Sequence, residues 1–369
     1  MRILIVADKL TGGAGNVAQQ LASYFSQKED NTVFLLIDVS AQPKYDLSKV
    51  NIIDRKINRV KLKNPIKLIN RFIKSIQRLG ETINRCNADV IISFLNSISP
   101  MVLFSQWQTN TPIIVSERSN PYMEWSQRGW LDKLKWKISY RRADRIVYQF
   151  KAFELFFKFA YRKHRTCTIP NMIFNDERDL ESQVKESNNT IRFATLATLY
   201  PIKRIDLMID IFASLLKKHS CIELNIYGKG PDKEKLQQKT IQMGIDTHVH
   251  FRGHVQNTYE ALCDNDVLLL TSEREGFPNA ILDAMEAGLP TVMFKCHEGL
   301  KEIITDGVNG FLIEQDDKNA FIEKLDYLVT HPHAIKEMRK NAFSLKQQYH
   351  KETVLRLWEK CIEEASRFS

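Results

Sequence analysis

The sequence has no apolar run approaching the roughly 20 residues that cross a bilayer as a helix. Its first apolar stretch, "ILIVA", meets Asp8 and Lys9 at once and is too short for the apolar region of a signal peptide. A cytoplasmic location is therefore expected. Cysteines are few and scattered (Cys86, Cys167, Cys221, Cys263, Cys296 and Cys361), with no CxxC pair. That pattern argues against both a zinc ribbon and a disulfide framework and leaves reduced thiols. The nine histidines show no HExxH spacing, and no Ser-His-Asp grouping can be placed. No metal is expected.

What is present is an ordinary folded composition, 43% hydrophobic over 369 residues. That length is too great for one compact core, so two domains are expected. Charge divides them. Residues 1–190 hold 30 Lys and Arg against 18 Asp and Glu, a net +12, whereas residues 191–369 hold 23 against 26, a net −3. The excess gathers in residues 55–78, where Lys61, Lys63, Lys67, Arg71, Lys74 and Arg78 surround isoleucines at helical spacing (Ile66, Ile69, Ile73, Ile76). Such a face suits an anionic membrane surface. A solvated helix capping a sheet accounts for the same composition. Nucleic acid is not expected, because interleaved aromatics and a recognised binding module are missing.

Short β-branched segments ("RILIV", "TVFLLID", "DVIISF", "PIIVS", "DRIVYQF") alternate with helical ones near 14–27, 64–85, 97–108 and 130–142. After a polar, aperiodic segment the pattern restarts with "IRFATLAT", "IELNIYG", "HVHFRG", "DVLLLTS", "PTVMF" and "GFLIE". This is α/β alternation, and it predicts two Rossmann-like, doubly wound domains facing across a cleft, followed by C-terminal helices. The expected divisions are 1–172, a linker over 173–190, 191–345, and a helix over 346–369 that can return to the first domain.

Three stretches have the chemistry of a ligand site. In "ADKLTGGAGNVAQQLA", glycines precede a helix start, where backbone amides can approach an anion. Gly13, Gly15 and Ala18 also fit the dinucleotide fingerprint, with Asp38 about 20 residues on, so an NAD-dependent oxidoreductase is a rival reading. Four residues, Asp8 to Thr11, are expected between the strand and Gly12, where the fingerprint begins directly after its strand. In "LATLYPIKRIDLMIDIF", Lys203 and Arg204 stand at a helix start, a position unfavourable for cations unless an anion binds there. In "SEREGFPNAILDAMEAG", Glu275 and Asp283 bracket a helix start at Gly276, Phe277, Pro278 and Asn279, an arrangement able to hold hydroxyls and phosphate. Asp264-x-Asp266 invites a metal-dependent reading. It is discounted because the pair precedes its strand, at the sheet edge opposite the one where ligands bind.

In this order, "GGAGNVAQQLA", "IIVSERSNP", "RRADRIV", "IPNMI", "PIKRIDLMIDIF", "YGKGP", "FRGHVQN", "DVLLLTSEREGFPNAILDAMEAGLPTV" and "KEIITDGVNGFLIE" resemble the retaining glycosyltransferases of family 4, over nearly the whole chain. Within that family the resemblance is to enzymes of bacterial surface-polysaccharide and lipid-linked oligosaccharide assembly. It implies the GT-B architecture, a nucleotide-sugar donor (a UDP-sugar), a lipid-linked glycan acceptor, no cofactor, and work at the inner face of the membrane. Glu275 would hold sugar hydroxyls and Lys203, helped by Arg204, the diphosphate. Amides from Gly276 to Asn279 would surround both, with Gly13 approaching from the other domain. The sequence departs from the family at three places. Asp283 replaces a second glutamate, Thr198 replaces an arginine, and Glu117-Arg118 stands where many members have histidine. Glu275, Lys203 and Arg118 are the candidate catalytic set, and Glu117 and Asn120 are candidates on the acceptor side. A 2-epimerase or a catalytically silent binding module shares the same frame.

Overall fold

A computed structural model of the chain describes residues 1–10, 12–39, 41–54, 65–95, 97–158, 165–173 and 190–367. Residues 174–189 of the expected linker lie outside the described residues. So do residues 55–64 of the basic stretch and the side chains of Lys67 and Arg71. The chain forms two compact units, Met1–Asn171 with Leu355–Ser369, and Met172–Val354.

The first unit contains β1 (Arg2–Lys9), α1 (Gly13–Ser26), β2 (Thr32–Asp38), β3 (Asn51–Asp54), α2 (Pro65–Cys86), β4 (Val90–Phe94) and α3 (Ser99–Ser105). It continues through β5 (Ile113–Ser116), α4 (Pro121–Ser126), α5 (Trp130–Ser139), β6 (Arg145–Tyr148), α6 (Glu154–Lys158) and β7 (Thr166–Thr168). All seven strands are parallel, in the order β3-β2-β1-β4-β5-β6-β7. β4, β5 and β6 are buried along their whole length, which is why they read as unbroken apolar runs rather than alternating ones.

The second unit has β8 (Ile191–Leu196), α7 (Ile205–Leu216), β9 (Ile222–Tyr227), α8 (Lys233–Gln242), β10 (Val249–Gly253), α9 (Thr258–Cys263) and β11 (Val267–Leu270). α10 (Asn279–Glu286), β12 (Thr291–Lys295), β13 (Gly310–Glu314), α11 (Lys318–Thr330) and α12 (Pro332–Leu345) follow. Its six parallel strands run β10-β9-β8-β11-β12-β13. α7 turns Ile205, Met208, Ile209 and Phe212 inward at 3-4 spacing, as an amphipathic helix over a sheet must. The last helix, α13 (Lys351–Ser366), starts in the second unit and ends in the first, where Trp358 is fully buried against Phe94.

The chain is thus two Rossmann-like parallel-sheet units, as expected. Several boundaries are corrected. β1 runs to Lys9 with an irregularity after Val6, so Asp8 belongs to the strand and fewer residues separate it from Gly12 than expected. The helix expected over 97–108 contracts to α3, and the one over 130–142 ends at Ser139 and tightens into a 3-10 turn, Tyr140–Arg142. β3 and β7 went unanticipated, because strands of four and three residues carry too little periodic signal.

Candidate active site

In the second sheet the strand order reverses between β8 and β11, which are neighbours although β9 and β10 intervene in the chain. Ligands of open α/β sheets bind outside the strand C-termini at such a reversal. The loop after β8 turns through a 3-10 helix, Pro201–Lys203, and Arg204 then adopts a left-handed conformation (φ +51°) to start α7. The loop after β11 laces onto it. The Thr271 hydroxyl lies 3.1 Å from the Lys203 carbonyl and 2.9 Å from that of Arg204, and the Glu273 N–H donates to the Ile202 carbonyl at 2.9 Å. These bonds bring together two side chains 72 positions apart: Lys203 Nζ donates to Glu275 Oε1 at 2.6 Å. Their side chains are 22% and 11% exposed, so the pair is sheltered but open to a ligand.

α10 begins beside it. Pro278 caps the helix and, lacking an N–H, offers no donor, so the expected row of amides from Gly276 to Asn279 has a gap there. Phe277 is buried, its ring 6.0 Å from Tyr349. Asp283 Oδ1 accepts from the Thr258 hydroxyl at 3.0 Å, which ties α10 to α9. Arg204 is ion-paired with Asp316, and Thr198 is exposed on the loop after β8.

Two residues at the end of β12 join the site without having been assigned from sequence. His297 Nε2 lies 3.0 Å from the Gly276 carbonyl, and burial pushes its pKa down to about 4. The ring is therefore neutral at physiological pH, and donation to that carbonyl places its proton on Nε2. Burial first, and then the Glu275 carboxylate, push the Cys296 thiol up to about 12, which leaves it protonated and inert as a nucleophile. β12 is β11's neighbour, so the loop after β12 had to arrive here. The signal was strand order, which residues 296–302 do not carry by themselves.

The first-unit candidates have structural attachments. Arg118 is buried at the end of β5. Its Nε donates to Ser116 Oγ at 2.8 Å, and Nη1 to the Ile169 carbonyl at 3.1 Å and Asn171 Oδ1 at 3.0 Å. The guanidinium lies 5.3 Å from the Trp358 ring centre, and burial lowers its pKa to about 9. Glu117 is also buried and accepts from the Tyr140 hydroxyl, and burial raises its pKa to about 7. Asn120 caps α4, its Oδ1 accepting from the Tyr122 N–H at 3.1 Å.

Gly13 is the first residue of α1. Gly15 is required by packing, since a Cβ there would sit 2.2 Å from the Lys9 carbonyl oxygen. Ala18 is buried, and Asp38 ends β2 opposite Lys9. Asp266 pairs with the Arg192 backbone in both directions at 2.8 Å, at the N-terminal ends of β8 and β11, opposite the Lys203–Glu275 end. Among the described residues no group of three or more His, Cys, Asp or Glu is placed to hold a metal ion.

Residues 176–345 match the family model of glycosyl transferases group 1. Over 327 residues the chain is 23% identical to an uncharacterized glycosyltransferase of Haemophilus influenzae, covering 86% of this chain and 91% of that protein. It is 23% identical over 303 residues to a Campylobacter jejuni α-1,4-N-acetyl-D-galactosaminyltransferase whose name specifies a GalNAc-containing glycan on PP-undecaprenol. That match covers 81% of this chain and 80% of the relative. In fold the chain resembles Anabaena HepE, solved in complex with UDP, with a TM-score of 0.72 at 16% identity over 98% of this chain and all of that one. The two Rossmann-like units and these relationships together support a glycosyltransferase of GT-B fold, with residues 176–345 similar to the group 1 family.

Proposed function

We propose that the protein moves a hexose or N-acetylhexosamine from a UDP-sugar to a growing lipid-linked glycan, with retention of configuration and without a metal ion, in surface-polysaccharide assembly. The observation that carries this reading is the Lys203–Glu275 pair at the sheet's reversal point. In the free protein each side chain satisfies the other. On donor binding the lysine exchanges the carboxylate for the diphosphate, a charge-assisted contact that strengthens as the UDP leaving group gains charge. Glu275, released, accepts hydroxyls of the sugar. In this reading Asp283, held by Thr258, takes the nucleoside hydroxyls, and neutral His297 steadies the Gly276 loop. Arg118 and Glu117 act as positioning residues at the end of β5. The UDP complex of HepE and the undecaprenol-linked substrate of the Campylobacter relative support the donor and acceptor classes. The acceptor calls for work at a membrane surface, and no described helix is long and apolar enough to cross one.

Packing accounts for Gly15 without a dinucleotide, but β1 reaching Lys9 shortens the gap before Gly12, so NAD stays the rival that the experiment must exclude. Incubation with individual UDP-sugars and an undecaprenyl-diphosphate-linked acceptor, in excess EDTA, should yield a glycoside whose anomeric proton coupling matches that of the donor. A product of inverted configuration, or activity lost on chelation and restored by magnesium, would contradict the corresponding part of the proposal. Stabilisation by NADH but not UDP would overturn it altogether.

A further inference from the structure

α5 is built inside out. Its sequence, "WLDKLKWKIS", places Trp130, Leu131, Leu134 and Ile138 within an arc of about 100° at 3.6 residues per turn. On a helix packed over a sheet that arc faces the core. Here it faces solvent: the four residues are 73%, 52%, 47% and 37% exposed, whereas Trp136 and Ser139, on the other side, are buried. Single exposed apolar residues need no explanation, but a continuous arc of large ones does.

Cations flank the arc. Lys133 and Lys137 lie along one edge and Lys135 along the other. Lys133 Nζ is 5.5 Å from the Trp125 ring centre, and Lys135 Nζ is 5.5 Å from that of Phe72 on α2, whose next residue, Ile73, is 47% exposed. The helix's own acid, Asp132, sits opposite the arc and is paired with Lys135 at 3.2 Å.

We infer that the outward face of α5 is a membrane-docking wedge, with Trp130, Leu131, Leu134 and Ile138 entering the headgroup and upper acyl region of an anionic bilayer and the flanking lysines meeting its phosphates. The charge pattern selects this occupant. Protein interfaces are depleted in lysine, whereas a helix lying in the bilayer interface combines Trp and Leu with lysine edges. The wedge rests on the proposed function only for which leaflet it meets, since attachment requires neither donor nor acceptor. It adjoins the basic stretch at 55–78 through Lys135 and Phe72, but its apolar arc belongs to α5.

The test uses the full chain and vesicles of phosphatidylcholine with phosphatidylglycerol, free of glycan acceptor. Trp130→Ser combined with Leu134→Ser should lower vesicle partitioning by about tenfold or more at physiological salt. Melting temperature and UDP binding should stay at wild-type levels. Trp130→Phe should keep partitioning but remove the quenching of tryptophan fluorescence by brominated acyl chains. Unchanged partitioning of the double-serine variant would overturn the wedge. So would release by Lys67→Glu, Arg71→Glu, Lys74→Glu alone, which would assign attachment to 55–78. A wild-type dimer that the serine substitutions dissociate, without vesicle binding in either protein, would show that a second copy covers the face. A protein that binds vesicles as expected yet transfers no sugar would sink the proposed function and leave the wedge standing.

Discussion

Lys203 and Glu275 are one ion pair, yet their removal should have opposite effects on nucleotide binding. Glu275→Ala frees the ammonium for a diphosphate, so UDP should bind as well as before or more tightly, while transfer is abolished for want of a sugar contact. Lys203→Ala removes the phosphate partner and leaves a sheltered carboxylate facing the phosphates. The lost charge-assisted contact is worth about 1.5–3 kcal/mol, some ten- to hundredfold in UDP affinity. Calorimetry on both variants is the check, and equal losses would reduce the pair to a structural bridge. Glu117 allows a second test. Its ordinary pKa is 4.5 and the folded value is about 7, so between them the unfolded chain has released a proton that the folded protein keeps. Stability therefore falls as pH rises through that window and is level on either side. Glu117→Gln removes this dependence while still accepting from Tyr140. Its stability relative to wild type should increase from pH 5 to pH 8, by on the order of 2–3 kcal/mol. A constant difference across that range would exclude Glu117 as the titrating group. Residue types at the site were legible in sequence, because a carboxylate before a helix start and a lysine after a strand have few ordinary uses. Their bond to each other was not, since it depends on which loops the strand order brings together. Arg118 shows the same limit: its place beside a strand end could be read from sequence, but its bonds to Ser116 and Asn171 and its place beside Trp358 come from the fold.

At the scale of elements, Trp358 is one of several attachments of α13 within the first unit: it is fully buried, 6.0 Å from the Phe94 ring and under the Arg118 guanidinium, while Cys361, Ile362 and Ala365 are buried too and Glu364 pairs with Arg145. Trp358→Ala should cost about 3–5 kcal/mol, the range for emptying a large aromatic site. Denaturant titration would show it as a lower midpoint, and a loss below about 1 kcal/mol would mean that the helix is held elsewhere. Long elements were legible because burial on both faces of a parallel strand, or on one face of a helix, writes an unmistakable period. β3 and β7 were not, because a short edge strand is specified by its neighbour rather than by its own residues. The end of β1 was misjudged for a related reason: Asp8 and Lys9 are polar, yet the strand continues past an irregularity as far as its pairing with β2 allows.

For the whole molecule, the restart of strand–helix alternation after residue 190 was enough to predict two doubly wound sheets, and both are present. The final helix of the first unit is separated from the rest of it by the entire second unit. That arrangement has a consequence for synthesis. A ribosome adding about 5–20 residues per second needs roughly ten to forty seconds to make Met172–Val354. For most of that interval the first seven strands are out of the exit tunnel, but the slot between Phe94 and Arg118 has no tryptophan to fill it. The unit translated first is thus the one finished last, and its open apolar slot is a natural holding point for a chaperone on the nascent chain.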